Sequence, residues 1–486
     1  MSQVDAIVVG SGPNGLAAAV VLARSGLAVR VYERASSIGG GTRTEQLTLP
    51  GFLHDVGSAV HPQALSSAFF RAFELERRVS FVVPEISYAH PLENGRSGIA
   101  WLDIDRTADD LGVDGRAWKR LLGPLVQHAG EVAQFAGSSL LQLPRHPLTL
   151  ARVGVRVLEQ GGAGWNLRFR EEVAPALLTG VTAHVVGRLP ALASAAAGLV
   201  LATAGHARGW PIPIGGSRSI AQAMADDLLA HGGEIVTDTE ISSIQQLPPA
   251  KVLLFDVSPR ALARIAGDRM PERYRRSLER FRYGNAVAKV DFALSDPVPW
   301  SDERLQGAAT LHLGGTRAQI RLAEESVAAG HQPEHPYVLA SQPTRFDPNR
   351  APGGKHVLWA YTHVPRGSGQ DRTEAITAAI ERHAPGFRDT ILASASRTAI
   401  EVESDNPNYI GGDISAGAVT IAQLLARPVL SRTPWRTAAR GIYLCSSATP
   451  PGPAVHGLAG YYAAMTALRD EFGVTEQPYL GVGLSA

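Results

Sequence analysis

The chain has 486 residues, of which 45% are hydrophobic and 19% charged, and its 46 Lys and Arg residues nearly balance its 45 Asp and Glu residues. This length and composition indicate a globular protein of about three domains, and the formal charge of +1 excludes nucleic acid or an anionic membrane as the expected main partner. The single cysteine, Cys445, excludes an intrachain disulfide or a dithiol redox pair.

The first predicted elements are a strand, a helix and a second strand. The strand "DAIVVG" ends at Gly10, the apolar helix covers Leu16–Gly26, and the second strand covers Leu27–Glu33. Because the first strand begins directly after "MSQ", we expect no secretory signal and a cytoplasmic protein, with contact to a membrane surface left open.

The turn between the first strand and the helix carries a G-x-G-x-x-G pattern. Gly10 permits the tight turn, Gly12 lets the backbone approach a pyrophosphate, and Gly15 allows the helix to pack close to the sheet. The helix N-terminus supplies free N–H groups and partial positive charge. Glu33 ends the second strand, where its carboxylate can accept hydrogen bonds from ribose hydroxyls and would repel a 2′-phosphate. The pattern predicts a dinucleotide site that disfavours NADP.

A second glycine cluster follows at once, in "RASSIGGGTRTEQ" (Arg34–Gln46). It resembles the double-glycine segment of FAD-dependent amine oxidases, protoporphyrinogen oxidases and carotenoid desaturases, in which backbone amides and an arginine hold the pyrophosphate and ribityl groups. Many relatives carry an arginine directly after the two glycines, where this chain has Gly41, and Arg43 matches the second arginine of the pattern. The resemblance favours FAD over NAD.

Two further segments resemble phytoene-desaturase-like flavoproteins. In "GFLHDVGSAVHP" (Gly51–Pro62) the resemblance places the backbone of Gly57 and Ser58 against the flavin ring and points His61 into the active site. In the segment that follows "PIPIGGS", Ile241 corresponds to a residue that contacts the adenine through its backbone.

The last predicted strand, loop and helix lie in Gly441–Leu468 and resemble the C-terminal FAD motif of the same group. His456, Gly457 and Gly460 match its "V-H-G-x-x-G" core, whereas Ser446 and Ala448 replace residues that are glycine in relatives. By this resemblance the helix points its N-terminus at the flavin pyrimidine, where negative charge accumulates on reduction.

The chain as a whole thus resembles the phytoene-desaturase-like FAD-dependent oxidoreductases, a group that includes carotenoid desaturases, ketolases and retinol saturase. The resemblance implies that FAD contacts Gly10, Gly12, Pro13, Asn14, Gly15, Glu33, Arg34, Gly40, Gly41, Thr42, Arg43, Gly57, Ser58, Ile241, Ser447, Val455, His456 and Gly457. His61 and His456 are the candidate acid/base residues, and orientation of FAD or substrate is the other interpretation of both. No cluster has the spacing of metal ligands.

The predicted fold class is α/β, with a discontinuous Rossmann-like FAD-binding domain made of residues 1–77, 208–270 and 436–486. A mixed-sheet substrate domain would take residues 78–112 and 271–435, and a helical subdomain residues 113–207. Leu189–Ala207 reads as a buried helix rather than a membrane span, and Ile391–Val402 as a strand.

The predicted function is FAD-dependent oxidation of C–C bonds, or reduction or isomerisation of C=C bonds, in an apolar isoprenoid- or polyketide-like small molecule, by hydride transfer to flavin N5. One alternative is a flavin amine or amino-acid oxidase, and another is a non-catalytic binder of the GDP-dissociation-inhibitor type. Because a second strand–G-x-G-x-x-G–helix unit is missing from the sequence, the electron acceptor is left open between oxygen, a quinone and another carrier.

Overall fold

A computed structural model describes residues 4–483, so that the ends of the predicted domains at Met1–Gln3 and Leu484–Ala486 lie outside the described residues. The strands, in chain order, are β1 (Ala6–Val9), β2 (Val29–Tyr32), β3 (Thr44–Glu45), β4 (His54–Asp55), β5 (Phe81–Val82), β6 (Ile86–Pro91), β7 (Ser97–Trp101), β8 (Ile212–Pro213), β9 (Glu234–Val236), β10 (Val252–Phe255), β11 (Ala286–Leu294), β12 (Ala308–Leu313), β13 (Val338–Ser341), β14 (His356–Val364), β15 (Ile391–Arg397) and β16 (Ile442–Leu444). The α-helices are α1 (Pro13–Arg24), α2 (Ala68–Ala72), α3 (Ile104–Asp110), α4 (Gly115–Gln127), α5 (Ala129–Ala136), α6 (Pro147–Gly161), α7 (Val173–Thr182), α8 (Leu192–Ala207), α9 (Arg218–Ala230), α10 (Pro259–Ala266), α11 (Glu272–Glu279), α12 (Arg317–Ala328), α13 (Thr373–Glu381), α14 (Phe387–Thr390), α15 (Ala399–Asp405), α16 (Ile421–Leu425) and α17 (Leu458–Ala467).

A parallel sheet in the order β16-β10-β1-β2-β9 forms the first layer of the molecule. Its strands come from three separated parts of the chain, and β1 at its centre is buried along its whole length. A short, continuously apolar strand suits this position because a parallel sheet is covered on both faces. The sheet confirms the predicted Rossmann-like α/β fold, and the exact domain boundaries stay a prediction.

A larger mixed sheet in the order β15-β11-β14-β13-β12-β6-β7 forms the second layer. β12 pairs with β6 in parallel, and the other neighbours pair antiparallel. Helices α5, α6 and α8 lie over one face of this sheet, with a cavity between the helices and the strands. The fold therefore joins a dinucleotide-type sheet to a second sheet that carries a covered internal space.

Helix α8 corresponds to the apolar segment that we predicted to be a buried helix. It runs from Leu192 to Ala207, and residues such as Ala195, Leu199 and Ala202 are buried against α4, α6 and α7. Across residues 4–483, no helix has both the length and the apolar character needed to cross a membrane.

The predicted strand over Ile391–Val402 is wrong in its second half. β15 ends at Arg397, and Thr398 begins helix α15 because its side chain and that of Glu401 form a reciprocal capping box. The sequence analysis also left out β12 and α12, although Thr316 caps α12 in the same way with Gln319. The apolar residues of Ile391–Val402 are compatible with a strand throughout, and the capping box at Thr398 is the local signal that ends it.

Candidate functional site

The first glycine turn is shaped by a carboxyl group that belongs to another strand. Asp256 follows β10 directly, and its Oδ2 accepts a hydrogen bond of 2.9 Å from the backbone N–H of Gly15. A Cβ added to Gly12 would lie 2.6 Å from the same oxygen, and one added to Gly10 would lie 2.7 Å from the Asp256 carbonyl oxygen. The glycines thus permit a close approach of the turn to Asp256, a residue that the sequence analysis missed.

Burial raises the pKa of Asp256 to about 7, against an opposing hydrogen bond from the Gly15 N–H, and the nearby Glu33 raises it further. Burial raises the pKa of the Tyr409 hydroxyl and of the Cys445 thiol, and the charge of Asp256 raises both further. Its carboxyl group therefore changes charge near neutral pH, at the turn that is predicted to meet a pyrophosphate.

Glu33 lies beside this turn, at the end of β2. Its Oε2 accepts hydrogen bonds from the Ser11 backbone N–H at 2.9 Å and from the Ser11 hydroxyl at 2.6 Å. Its Oε1 accepts a hydrogen bond of 2.8 Å from the backbone N–H of Ala35. The carboxylate is thereby held in one orientation, as a ribose-binding group requires.

The second glycine cluster lies against the first turn. Gly39 and Gly40 have φ angles of +108° and +53°, and the Arg43 Nε donates a hydrogen bond of 3.1 Å to the Gly40 carbonyl. Arg43 also forms an ion pair with Asp405, whose backbone carbonyl accepts a hydrogen bond of 3.0 Å from Arg34. This turn is therefore tied to helix α15 of the other layer.

The structure explains why glycine stands at position 41, where many members of the resembling family have an arginine. A Cβ at this position would collide with the hydroxyl of Tyr409. Tyr409 therefore occupies space beside Gly41 that a larger side chain there would need.

A cavity of about 620 Å³ begins between the two glycine turns and extends to the mixed sheet. Among the predicted cofactor contacts, those that line it are Pro13, Asn14, Gly40, Gly41, Thr42, Gly57, Ser58, Ser447 and Val455. Asn14 is buried, and its Oδ1 has no hydrogen-bond partner among residues 4–483. The glycine cradle at a helix N-terminus fits the pyrophosphate of FAD, and a buried acceptor oxygen without a partner fits a hydroxyl group of the ribityl chain.

Other predicted contacts lie outside that lining. Gly10, Gly12, Gly15 and Glu33 form the turn at the β1 and β2 strand ends described above. Ile241 is buried in an apolar cluster with Val9 and Phe255, at the carboxyl ends of β1 and β10.

A fully buried ion pair supports the loop that carries Gly57, Ser58 and His61. The Asp55 carboxylate pairs with Arg350 and accepts hydrogen bonds of 2.7 Å from the Thr44 hydroxyl and the Ser217 backbone N–H. Burial raises the pKa of Asp55, but Arg350 and these hydrogen bonds outweigh burial and lower it. Arg350 also donates to Asp347 and to the Pro213 carbonyl, so the network joins β4, α9 and the mixed-sheet layer.

His61 lines the cavity and has one fixed nitrogen. Its Nε2 lies 2.7 Å from the Ser217 hydroxyl, which itself donates a hydrogen bond of 2.6 Å to the Ser58 carbonyl. Because that hydroxyl proton is already used, the His61 Nε2 is the donor and Nδ1 carries the lone pair. Burial lowers the pKa of His61 to about 4, although Asp55 raises it, so the imidazole is neutral at pH 7.

His456 is buried in the loop before α17 and directly follows Val455, which lines the cavity. Its Nε2 lies 3.2 Å from the Gly452 carbonyl, and its Nδ1 accepts a hydrogen bond of 3.1 Å from the Leu458 backbone N–H. Both ring nitrogens are therefore used inside the loop. The sequence analysis predicted the same acid/base role for His456 and His61. In the structure they differ, because His61 has only its Nε2 bonded to a side chain.

Helix α17 packs directly on α1. A Cβ on Gly460 would collide with the backbone carbonyl of Asn14, so glycine is required for this approach. Gly457, with a φ of +66°, turns the chain into α17. The C-terminal motif thus brings Val455 and Ser447 to the first glycine turn.

Lys289 on β11 is a buried cation of the cavity wall, as is Arg427. Its Nζ donates hydrogen bonds of 2.6 Å to Asp291 Oδ1 and 3.0 Å to the Asp55 carbonyl. Burial lowers the pKa of the Lys289 ammonium, and Asp291 opposes that shift. The sequence analysis missed this residue because a single lysine in a strand has no spacing signal.

The rest of the cavity wall is mainly apolar. Helices α5, α6 and α8 and the mixed sheet contribute Phe135, Leu150, Val153, Val157, Ala193, Ala196, Ala197, Val200, Leu201, Val287, Leu339, Trp359 and Tyr361. Asp405 is the one carboxylate among the described residues that line it, and it is paired with Arg43.

Comparisons with known proteins agree with this architecture. The profile of the family described as "Flavin containing amine oxidoreductase" matches residues 14–458. Pyridine nucleotide-disulfide oxidoreductase domain-containing protein 2 of Rattus norvegicus is 25% identical over 96% of this chain and 94% of its own. The chloroplastic prolycopene isomerase of Arabidopsis thaliana is 26% identical over 74% of this chain and 63% of its own. The structure of cyclohexylamine oxidase from Brevibacterium oxydans IH-35A covers 97% of this chain and 100% of that chain, with a TM-score of 0.58 and 16% identity, which shows a shared fold.

Proposed function

We propose a specific activity for this chain, which belongs to the flavin-containing amine oxidoreductase family and is an FAD-dependent oxidoreductase. The proposed reaction is oxidation of C–C bonds, or reduction or isomerisation of C=C bonds, in an apolar isoprenoid- or polyketide-like molecule. The observation that carries the proposal is that one cavity runs from the predicted FAD contacts to a mainly apolar wall. The resemblance to a prolycopene isomerase points in the same direction.

The size and lining of the cavity support an apolar substrate. The cavity of about 620 Å³ includes the space between the glycine turns that FAD would fill, and the part beyond it, between α5, α6, α8 and the mixed sheet, is lined mainly by apolar side chains. Small residues of α8, such as Ala193, Ala196 and Ala197, leave open space opposite the sheet, where larger side chains would fill it. Burial of apolar surface then supplies the main binding free energy.

The amine oxidase alternative has a weaker basis in the charges of the cavity. An alkylammonium group is stabilised by a free carboxylate or an aromatic face. Asp405, the carboxylate of the described lining, is engaged by Arg43 and by Arg397 at 3.7 Å. Trp359 and Tyr361 supply aromatic rings whose centroids are 5.2 Å apart and whose planes are nearly perpendicular. Because an ammonium group could bind against these rings, the test below includes amines.

His61 is the proposed acid/base residue. A desaturation removes a hydride and a neighbouring proton, and the proton needs an acceptor. With its Nε2–H bonded to Ser217, the neutral imidazole offers Nδ1 as that acceptor. His456 holds the loop before α17, because both of its nitrogens are bonded there.

Residues around the two glycine turns would hold FAD. The backbone of the Gly10–Gly15 turn would meet the pyrophosphate and the Asn14 Oδ1 a ribityl hydroxyl, while Glu33 would meet the ribose, and Gly57 and Ser58 the flavin ring. When bound, FAD accepts the hydride or the electrons, a reaction that no amino-acid side chain can perform. Oxygen, a quinone or another carrier would reoxidise the enzyme.

The test is product analysis with cavity-narrowing variants. The holoenzyme is incubated with phytoene or prolycopene, or with cyclohexylamine or putrescine, and products are identified by mass spectrometry. Ala197→Phe should abolish conversion of the isoprenoids while FAD stays bound, and Ala204→Phe on the same helix, outside the cavity lining, serves as the matched control. Conversion of the amines alone would overturn the proposal.

A further inference from the structure

Helix α6 has an apolar stripe on each of two opposite faces. Toward the interior, Leu150, Val153 and Val157 line the cavity. The residues of the other stripe recur three or four positions apart, as on one face of a helix, and all of them are exposed: Leu148, Ala151, Val155 and Leu158. This second stripe, together with Leu143 of the preceding loop, is called the outer face of α6.

The outer face is unusual for a surface helix, which ordinarily turns its apolar stripe inward and its polar residues to water. Leu148 is 75% exposed, and Val155 and Leu158 are each 64% exposed. Leu143 is 91% exposed, whereas Leu140 in the same loop lines the cavity. Large apolar side chains that are grouped and exposed in this way mark a surface that binds a partner. The loop before α6 thus joins that surface to the cavity wall.

Positive charge accompanies the outer face along the chain. Residues 137–170 contain five arginines and one glutamate, an excess of four positive charges, although the whole chain has a formal charge of only +1. Arg145, Arg152 and Arg170 are exposed. Arg152 contacts the Nε2 of His128 at 2.9 Å rather than a carboxylate. The near-neutral charge of the whole chain therefore hides a local cationic region.

The carboxylates close to α6 have other partners. Glu159 is paired with Arg168. Glu131 of α5 accepts a hydrogen bond from Thr149 and lies 3.6 Å from the Nδ1 of His146. Neither carboxylate is paired with one of the three exposed arginines, so their positive charge is available to an anionic partner.

A surface that is both apolar and cationic favours a partner that is both apolar and anionic. A second copy of this chain would suit the leucines, but a two-fold contact of the outer face with itself would bring the same arginines together, and like charges repel. A bilayer of anionic phospholipids suits both features. It takes up apolar side chains at the boundary between headgroups and acyl chains, and its surface attracts arginine.

We propose that the outer face of α6 docks on the surface of an anionic phospholipid bilayer. The choice of a bilayer over an acidic protein rests on the proposed function, because an apolar substrate dissolves in lipid. The loop from Leu140 to Leu143 connects the outer face with the cavity wall, so that substrate moves between lipid and cavity along this loop.

The test is sedimentation of the holoenzyme with lipid vesicles. One set of vesicles contains phosphatidylcholine alone, and the other contains equal parts of phosphatidylcholine and phosphatidylglycerol. The wild type should bind the anionic vesicles about tenfold more tightly than the neutral ones, because the exposed arginines add attraction at an anionic surface. The variant Arg145→Gln/Arg152→Gln should lose most of this difference.

A second pair of variants tests the apolar part of the contact. Leu148→Glu/Leu158→Glu should weaken binding to the anionic vesicles about tenfold or more, since it removes two apolar side chains and adds negative charge. Leu229→Glu/Leu322→Glu is the matched control, because these leucines are also exposed, on α9 and α12, and the same charges are added. The control should bind within about threefold of the wild type.

The outcomes separate the inference from the proposed function. Failure of the wild type to sediment with either set of vesicles overturns the inference and leaves the proposed reaction in place, as do equal losses in the α6 variant and the control. Analytical ultracentrifugation checks the other occupant. A dimer that Leu148→Glu/Leu158→Glu dissociates, without vesicle binding by the wild type, would show that a second copy covers the outer face. Vesicle binding by an enzyme that converts amines alone contradicts the proposed function and keeps the docking surface.

Discussion

Arg350 and Asp55 form an ion pair in which both side chains are completely buried, between the loop that carries His61 and the mixed-sheet layer. The pair is satisfied on both sides, since Asp55 also accepts from Thr44 and Ser217. A buried ion pair adds little net stability over an apolar pair, but removal of one partner leaves an uncompensated charge.

Replacement of Arg350 should therefore destabilise the protein strongly. Arg350→Met should lower the free energy of unfolding by about 3–5 kcal/mol, because the Asp55 carboxylate would remain buried without its partner. Arg304→Met is the matched control, since Arg304 pairs with Asp302 but is 45% exposed. The control should change stability by about 1 kcal/mol or less. Chemical denaturation measures both variants, and equal losses would contradict the account.

Asp256 should make FAD binding depend on pH. Its pKa in the folded protein is raised from 3.8 to about 7, mainly by burial. Above that pH it adds a negative charge beside Glu33, at the turn that we predict to meet the pyrophosphate, so the Kd for FAD should rise by up to about tenfold per pH unit. Asp256→Asn should remove this rise. Titration of the apoprotein with FAD from mildly acidic to mildly alkaline pH tests both, and parallel profiles would refute the role.

Asp256 should also make the stability of the apoprotein depend on pH. Because the folded-state pKa is the higher one, the contribution of Asp256 to stability is fully present below its unfolded-state pKa of 3.8. It is lost as the pH rises toward about 7. Asp256→Asn should flatten the pH dependence of the free energy of unfolding across this window. A slope in the variant as steep as in the wild type would contradict the assigned pKa.

Glu33 should be needed to retain FAD. Glu33→Ala removes the carboxylate that Ser11 and Ala35 orient, and the Kd for FAD should rise about tenfold or more. Glu234→Ala on the neighbouring strand is the control, because that side chain is exposed and pairs with Arg30. The flavin content of the two variants is compared after gel filtration. Full retention of FAD by Glu33→Ala would contradict the assignment of Glu33 to the ribose.

His61 and His456 should respond differently to substitution. His61→Asn should keep FAD bound and lower kcat about a hundredfold, since it removes the proposed proton acceptor. His456→Ala should loosen the loop before α17 and lower FAD retention, because Leu458 and Gly452 lose their partner. Flavin-to-protein absorbance ratios and turnover separate the two effects. A catalytic loss in His456→Ala with full FAD retention would reverse the assignment.

Features encoded in short stretches of sequence were predictable. The strand, glycine turn, helix and Glu33 lie within one run of residues, and the apolar pattern together with the glycine spacing indicates both the sheet and a dinucleotide. The apolar pattern and glycines of residues 441–468 likewise predicted the last strand and helix. All of these patterns involve residues that are close together in the chain.

Contacts that depend on tertiary structure were not predictable from such patterns. Asp55 and Arg350 are 295 residues apart in the sequence, and His184 meets His312 across 128 residues. Asp256 ends an ordinary apolar strand, and only the packing of β10 beside β1 brings its carboxyl group to Gly15. No local spacing marks any of these residues as part of a site.

Anaerobic mixing of the holoenzyme with matched ligands tests the central claim most directly. One set contains phytoene, prolycopene and farnesol, and the other contains cyclohexylamine and putrescine. The account predicts that a member of the isoprenoid set bleaches the visible absorbance of the flavin or is isomerised without bleaching, and that Ala197→Phe prevents both. Bleaching by the amines, with no change of any isoprenoid, would contradict an apolar C–C or C=C substrate.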